Sequence, residues 1–141
     1  MRYYVVIDTS ILVSALLTSN PDSPTVKILK LISEGILTPL YSEYLLAEYH
    51  EVLTRSKFAI PTALCNGIVA MFLEYGMDFE PVLVDLDLPD KDDIPIFLIA
   101  DQTRDFRTYL VTGNLKHFPE REFVISPKTL VDIIENDIST Q

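Results

Sequence analysis

One cysteine, Cys65, is all that this 141-residue chain contains. No internal disulfide can form and no cysteine-based zinc site can be built. Its neighbours are apolar residues at helical spacing, which predicts a buried packing role. Basic residues are also scarce: 11 Lys and Arg face 21 Asp and Glu, for a net charge of −10 and a pI near 4.4. That excludes a protein gripping nucleic acid through a broad basic surface, because Lys and Arg drive phosphate binding. Any nucleic-acid contact must be local, and a basic protein partner is favoured. Long apolar runs are missing, so no stretch approaches the ~20 residues of a membrane-spanning helix. The N-terminus enters a strand with no charged region, apolar stretch and cleavage site before it, which predicts a cytoplasmic chain. No repeat, linker or low-complexity segment interrupts the sequence, so 1–141 reads as a single domain.

What is present is organised around Tyr3-Tyr4-Val5-Val6-Ile7-Asp8-Thr9-Ser10. A continuous apolar run of this kind suits a strand buried on both faces of a parallel sheet. Asp8 then stands at its carboxyl end, where ligands bind in open α/β sheets. The alternative is a helix N-cap, since Ile11 to Leu17 can form a short helix. Ser23-Pro24 opens a helix carrying Val26, Ile28, Leu29, Leu31 and Ile32, which Gly35 ends. Leu37 to Tyr41 is a second strand despite Pro39. Ser42 caps a helix with Leu45, Leu46, Tyr49, Val52 and Leu53 on its apolar face. Glu51 points away from that face and Glu48 lies at its flank, aimed toward the protein or snorkelling at the boundary.

Pro61 opens the next helix, with Leu64, Ile68, Met71, Phe72 and Tyr75 as its buried stripe and Gly76 as its end. Pro81 to Val84 reads as a short strand. It leads into Asp85, Asp87, Asp90, Asp92 and Asp93, a run that enters a helix predicted from Ile94 to about Arg104. Asp92 or Asp93 can be a ligand or simply a cap. Tyr109 to Thr112 is a strand ending in Gly113-Asn114, and Phe123 to Ile125 is the last strand. Ser126-Pro127 starts a helix with Leu130, Ile133 and Ile134, and the tail from Asp137 is expected to be loose. Alternating strands and helices predict an α/β fold with a parallel sheet and right-handed crossovers. Asp8, Glu48, Asp93 and Thr112-Gly113-Asn114 then gather on one edge. Such an acidic cluster would hold divalent cations.

Val6-Ile7-Asp8-Thr9-Ser10-Ile11, Ser42 with Glu48, Asp90-Lys91-Asp92-Asp93-Ile94-Pro95 and Leu110-Val111-Thr112-Gly113-Asn114 with Leu115-Lys116-His117-Phe118 form an ordered set. The set resembles the PIN-domain nucleases, and within them small single-domain toxins of toxin–antitoxin pairs similar to the VapC toxins. The resemblance runs through Ser126-Pro127-Lys128-Thr129-Leu130. It implies a three-layer α/β/α sandwich with a five-stranded parallel sheet of order 3-2-1-4-5. It also implies metal-binding carboxylates at Asp8, Glu48 and Asp93, a fourth ligand at Asn114, and supporting residues Asp90 and Thr112. Ser10, also supporting, stands where asparagine is common, and Asn114 where many relatives carry aspartate, bringing one less negative charge.

Mg²⁺ and Mn²⁺ prefer carboxylate and water oxygens, which fits such a ligand set. The reading is therefore a metal-dependent endoribonuclease whose partners are RNA and a small antitoxin with a basic segment, in a homodimer. Lys116 and His117, with Arg55 and Arg104, are candidates for contact with RNA. The rivals are a non-catalytic PIN-fold binding module and another metal-dependent phosphohydrolase. The Asp-x-Asp pattern of haloacid-dehalogenase-like enzymes is absent, since Asp8 is followed by Thr9-Ser10. Crowding of the acids predicts that at least one titrates above its ordinary value.

Overall fold

The computed structural model describes residues 2–140. Five strands form one sheet in the order β3-β2-β1-β4-β5, and every adjacent pair is parallel. The central strand, β1 (Tyr3–Ile7), is flanked by β2 (Leu37–Tyr41) and β4 (Tyr109–Val111). Val5, Val6 and Ile7 are fully buried, as the unbroken apolar run requires of a strand covered on both faces. β5 (Val124–Ile125) closes one side.

Helices flank the sheet, giving the expected α/β sandwich. α1 (Thr9–Leu17) and α2 (Pro24–Ser33) connect β1 to β2. α3 (Glu43–Leu53) and α4 (Thr62–Tyr75) lead to β3, α5 (Ile94–Asp101) leads to β4, and α6 (Pro127–Ser139) closes the chain against α2. Ser42 caps α3 as expected, its Oγ accepting from Leu45 N at 3.1 Å. Cys65 is buried and reduced, its thiol directed to the Leu53 carbonyl at 3.3 Å. Among the described residues no helix is long and apolar enough to cross a membrane.

Four expectations fail locally, each for a physical reason. The third strand is not Pro81 to Val84 but β3, Met77–Asp78. Gly76 leaves α4 in an extended conformation (φ −102°, ψ −175°), so pairing with Leu40 and Tyr41 begins at once. Phe79 N donates the last such bond, to Tyr41 O. β2 then turns into α3, so Val82 and Leu83 have no strand to pair with and lie 73% and 71% exposed. The helix after the aspartates ends at Asp101 rather than near Arg104, because Thr103 Oγ1 donates to the Ile99 carbonyl and a 3-10 turn, Arg104–Phe106, follows. In α4 the buried residues are Cys65, Ile68 and Phe72, whereas Leu64 and Tyr75 face solvent. The tail from Asp137 is not loose. α6 continues to Ser139, and Tyr3 Oη donates to Asp137 Oδ2, tying it to the start of β1.

The two glycines of α4 make a testable contrast. A Cβ at Gly76 would collide with the Pro39 and Phe72 carbonyl oxygens, while one at Gly67 would meet nothing within 4 Å. Gly76→Ala should lower the urea midpoint by the equivalent of about 1–3 kcal/mol. Gly67→Ala should raise it by about 0.5–1 kcal/mol through helix propensity.

Candidate active site

Asp8 leaves the carboxyl end of β1 and takes the cap position of α1 (φ −63°, ψ 143°), yet its side chain caps nothing. Oδ2 instead accepts from Ser10 Oγ at 3.0 Å and from Thr112 Oγ1 at 2.7 Å. Gly113 N donates to Ser10 Oγ at 3.3 Å and Asn114 N to Thr112 Oγ1 at 2.9 Å. The carboxyl ends of two neighbouring strands are thus laced through one carboxylate, itself 8% exposed. Thr112 is fully buried, and holding Asp8 is what its hydroxyl does there.

α3 brings Glu48 to the same edge. Tyr49, fully buried, donates its hydroxyl to the Ile7 carbonyl at the end of β1 and so sets the rotation of the helix. Glu48, the residue before it, is consequently half-buried, and Thr9 Oγ1 donates to its Oε2 at 2.5 Å. Burial pushes the Glu48 carboxyl up, the Thr9 bond opposes this, and the charges of Asp8, Asp92 and Asp90 push it further. Glu51 instead faces solvent and pairs with Arg55.

The aspartate run divides its labour differently from either reading of Asp92 and Asp93. Capping falls to Asp90, whose Oδ1 accepts from Asp92 N at 2.9 Å at the head of a 3-10 turn, Lys91–Asp93. Asp92 is exposed, and its carbonyl accepts from Tyr44 Oη at 3.2 Å. Asp93 caps nothing, and its Oδ2 is buried with no hydrogen-bond partner. His117 Nδ1 approaches that oxygen at 3.7 Å, too far for a hydrogen bond. Burial first, then Asp8 and Asp90, push Asp93 up from 3.8 to about 6, partly offset by His117 and reinforced by Glu48.

A buried oxygen without a donor, among acids that repel one another, is a place short of positive charge. The donors are all oxygen, which suits a hard divalent cation. The ligand geometry is not preassembled: among the described residues no three acidic or histidine side chains already form a metal-holding group.

Of the remaining expected residues, Asn114, Lys116 and His117 lie exposed on the segment after β4, a 3-10 turn spanning Leu115–His117. Arg55 is two helical turns beyond Glu48 and holds Glu51 by two hydrogen bonds, at 3.1 and 2.8 Å. Arg104 lies before β4, at the opposite edge of the sheet, bound to the Thr108 carbonyl and 4.2 Å from the Phe123 ring centroid. Neither arginine belongs to the site. Thr9 and Tyr49 do shape it and were missed; a hydroxyl at a helix start and a tyrosine in an apolar stripe carry no sequence signal that separates these roles from ordinary packing.

Fold and edge define a class, the parallel α/β proteins whose site lies beyond the strand ends. A family model described as the PIN domain matches residues 4–116, and the chain belongs to the PIN-domain family, whose members are generally metal-dependent nucleases. No curated protein and no solved structure gives a significant match.

The site carries a pH signature. Between about pH 4 and 6 the folded chain holds the Asp93 proton that the unfolded chain has released, so stability in chelator should fall as pH rises through that window. Glu48, also raised, acts in the same direction. Asp93→Asn should flatten part of this slope and raise the melting temperature at pH 7, as thermal melts across pH 4–8 will read.

Proposed function

We propose that this PIN-domain chain is a Mg²⁺- or Mn²⁺-dependent endoribonuclease, the toxin of a toxin–antitoxin pair acting in the cytoplasm. The observation that carries the reading is Asp93 Oδ2, buried without a partner beside Asp8 and Glu48. Asp8, Glu48 and Asp93, with Asn114 through its side-chain carbonyl, would hold the ions. When bound, such ions activate water and stabilise the leaving oxygen of a phosphodiester.

The chain's own part is to hold and orient. Thr112 and Ser10 keep Asp8 Oδ2 occupied and fix its carboxylate plane. Thr9 restrains Glu48, and Asp90 orders the turn that presents Asp93. His117 and Lys116, at the rim, would meet RNA. A basic antitoxin segment is the complement to a net charge of −10, in an assembly built on a homodimer. The absence of a preassembled three-ligand group among the described residues favours a second reading, a PIN-fold binding module without catalysis.

Incubation of an RNA panel with Mn²⁺, Mg²⁺ or chelator separates the two. Metal-dependent cleavage is expected, abolished by Asp8→Asn and by Asp93→Asn and retained in Glu51→Gln. Full activity in both aspartate variants would sink the nuclease site as drawn. Metal should also raise the melting temperature, by the equivalent of roughly 2.7 kcal/mol at a hundredfold excess over Kd. That rise should shrink in Asp8→Asn.

A further inference from the structure

An open cleft of about 580 Å³ lies beside the acidic edge, lined by the segment from Leu115 to Val124. Its size falls within the range of small-ligand sites. A second hollow, over Gly113 to His117, shares Leu115 and Lys116 with it. The two therefore run together from His117, which stands 3.7 Å from Asp93 Oδ2, to the far end of the cleft. The lining is mixed. Leu115 is 47% exposed, Phe118 lies beneath, and Pro119 adds apolar surface. Lys116 and Arg121 supply cations, and Glu120 shares the lining, leaving the group net positive.

In a chain with nearly twice as many acids as bases, these two cations are notable for what they do not bind. Lys27, Arg55, Lys91 and Lys128 each pair with a carboxylate. Lys116 pairs with none among the described residues, and Arg121 donates only to the Glu120 backbone carbonyl, at 3.0 Å. Apolar surface flanked by free cations suits a group with a flat apolar face and a phosphate. A nucleotide in an unpaired strand is such a group, whereas a duplex keeps its bases stacked away.

Resting on the ribonuclease reading of the neighbouring acids, we infer that this cleft receives a nucleotide of single-stranded RNA next to the scissile phosphate. Its base lies against Leu115 and Pro119, and its phosphates meet Lys116 and Arg121. The acids repel the strand and the cleft attracts it, so the cleft sets which phosphate reaches the edge.

The test is fluorescence anisotropy of a labelled single-stranded oligoribonucleotide, using the full chain in an Asp8→Asn background without metal. Lys116→Ala with Arg121→Ala should weaken binding at least tenfold at 0.1 M salt. The slope of log K against log salt should become shallower by about 1.4, two phosphate contacts at about 0.7 each. Leu115→Asp should weaken binding with its fold intact. Lys30→Ala with Lys57→Ala, the same charge change elsewhere, should have under a twofold effect. A duplex of the same sequence should bind at least tenfold less tightly.

Equal losses in the cleft and control pairs, or no binding of single strands by the parent, overturns the inference. So does duplex binding as tight as single-strand binding. The nuclease reading is judged separately, by metal-dependent cleavage in the unsubstituted chain. Cleavage with cleft-independent binding removes the cleft alone, and cleft-dependent binding without cleavage removes the nuclease alone.

Discussion

Parallel pairing of β1 with both β2 and β4 is the constraint on which the rest of the molecule depends. Because neighbouring strands run the same way, each must return through a crossover, and every strand-to-helix junction falls on one edge. Asp8, Ser42 and Thr112 are such junction residues. The bond from Thr112 to Asp8, between residues more than a hundred positions apart in the chain, exists only because β1 and β4 are adjacent and in register. Tyr49 adds the third side by fastening α3 to the end of β1, which delivers Glu48.

That edge is electrostatically one-sided. Burial and mutual repulsion raise Glu48 and Asp93, and the nearest cationic group, His117, is half exposed and too distant to satisfy the buried oxygen. A few residues further along the chain the sign changes at Lys116 and Arg121. The protein thus keeps its phosphate-compatible surface small, as a net charge of −10 requires of a chain acting on a polyanion. Counter-charge that could have neutralised these cations is spent in surface pairs such as Lys128 with Asp132.

Much of this was legible in the residues. Val5-Val6-Ile7 and Leu110-Val111 are unmixed apolar runs, and only a doubly covered strand makes use of them. Ser23-Pro24 and Ser42 begin helices because backbone donors at a helix start need a partner or a proline. The misplaced third strand shows where such reasoning stops. Val82-Leu83-Val84 has higher strand propensity than Met77-Asp78, yet propensity cannot supply a partner, and β2 offers its free backbone groups only as far as Tyr41. Arg55 and Arg104 were misassigned for a related reason: charge alone does not say which edge of a sheet a residue occupies.

The sequence by itself determined the periodicities, the caps and the stock of acids, because these depend on residues within a turn or two of one another. It therefore determined the fold class and the place of Asp8 at a strand end. Only the tertiary structure decided which carboxylates do what. Asp90, Asp92 and Asp93 are chemically near-identical neighbours, and local sequence cannot rank them. Packing against the sheet gives Asp90 a backbone donor to cap, leaves Asp92 in water, and buries one oxygen of Asp93 with nothing to bind. The difference lies in which groups from distant segments reach each oxygen, and that is settled only when β1, β4 and α3 meet.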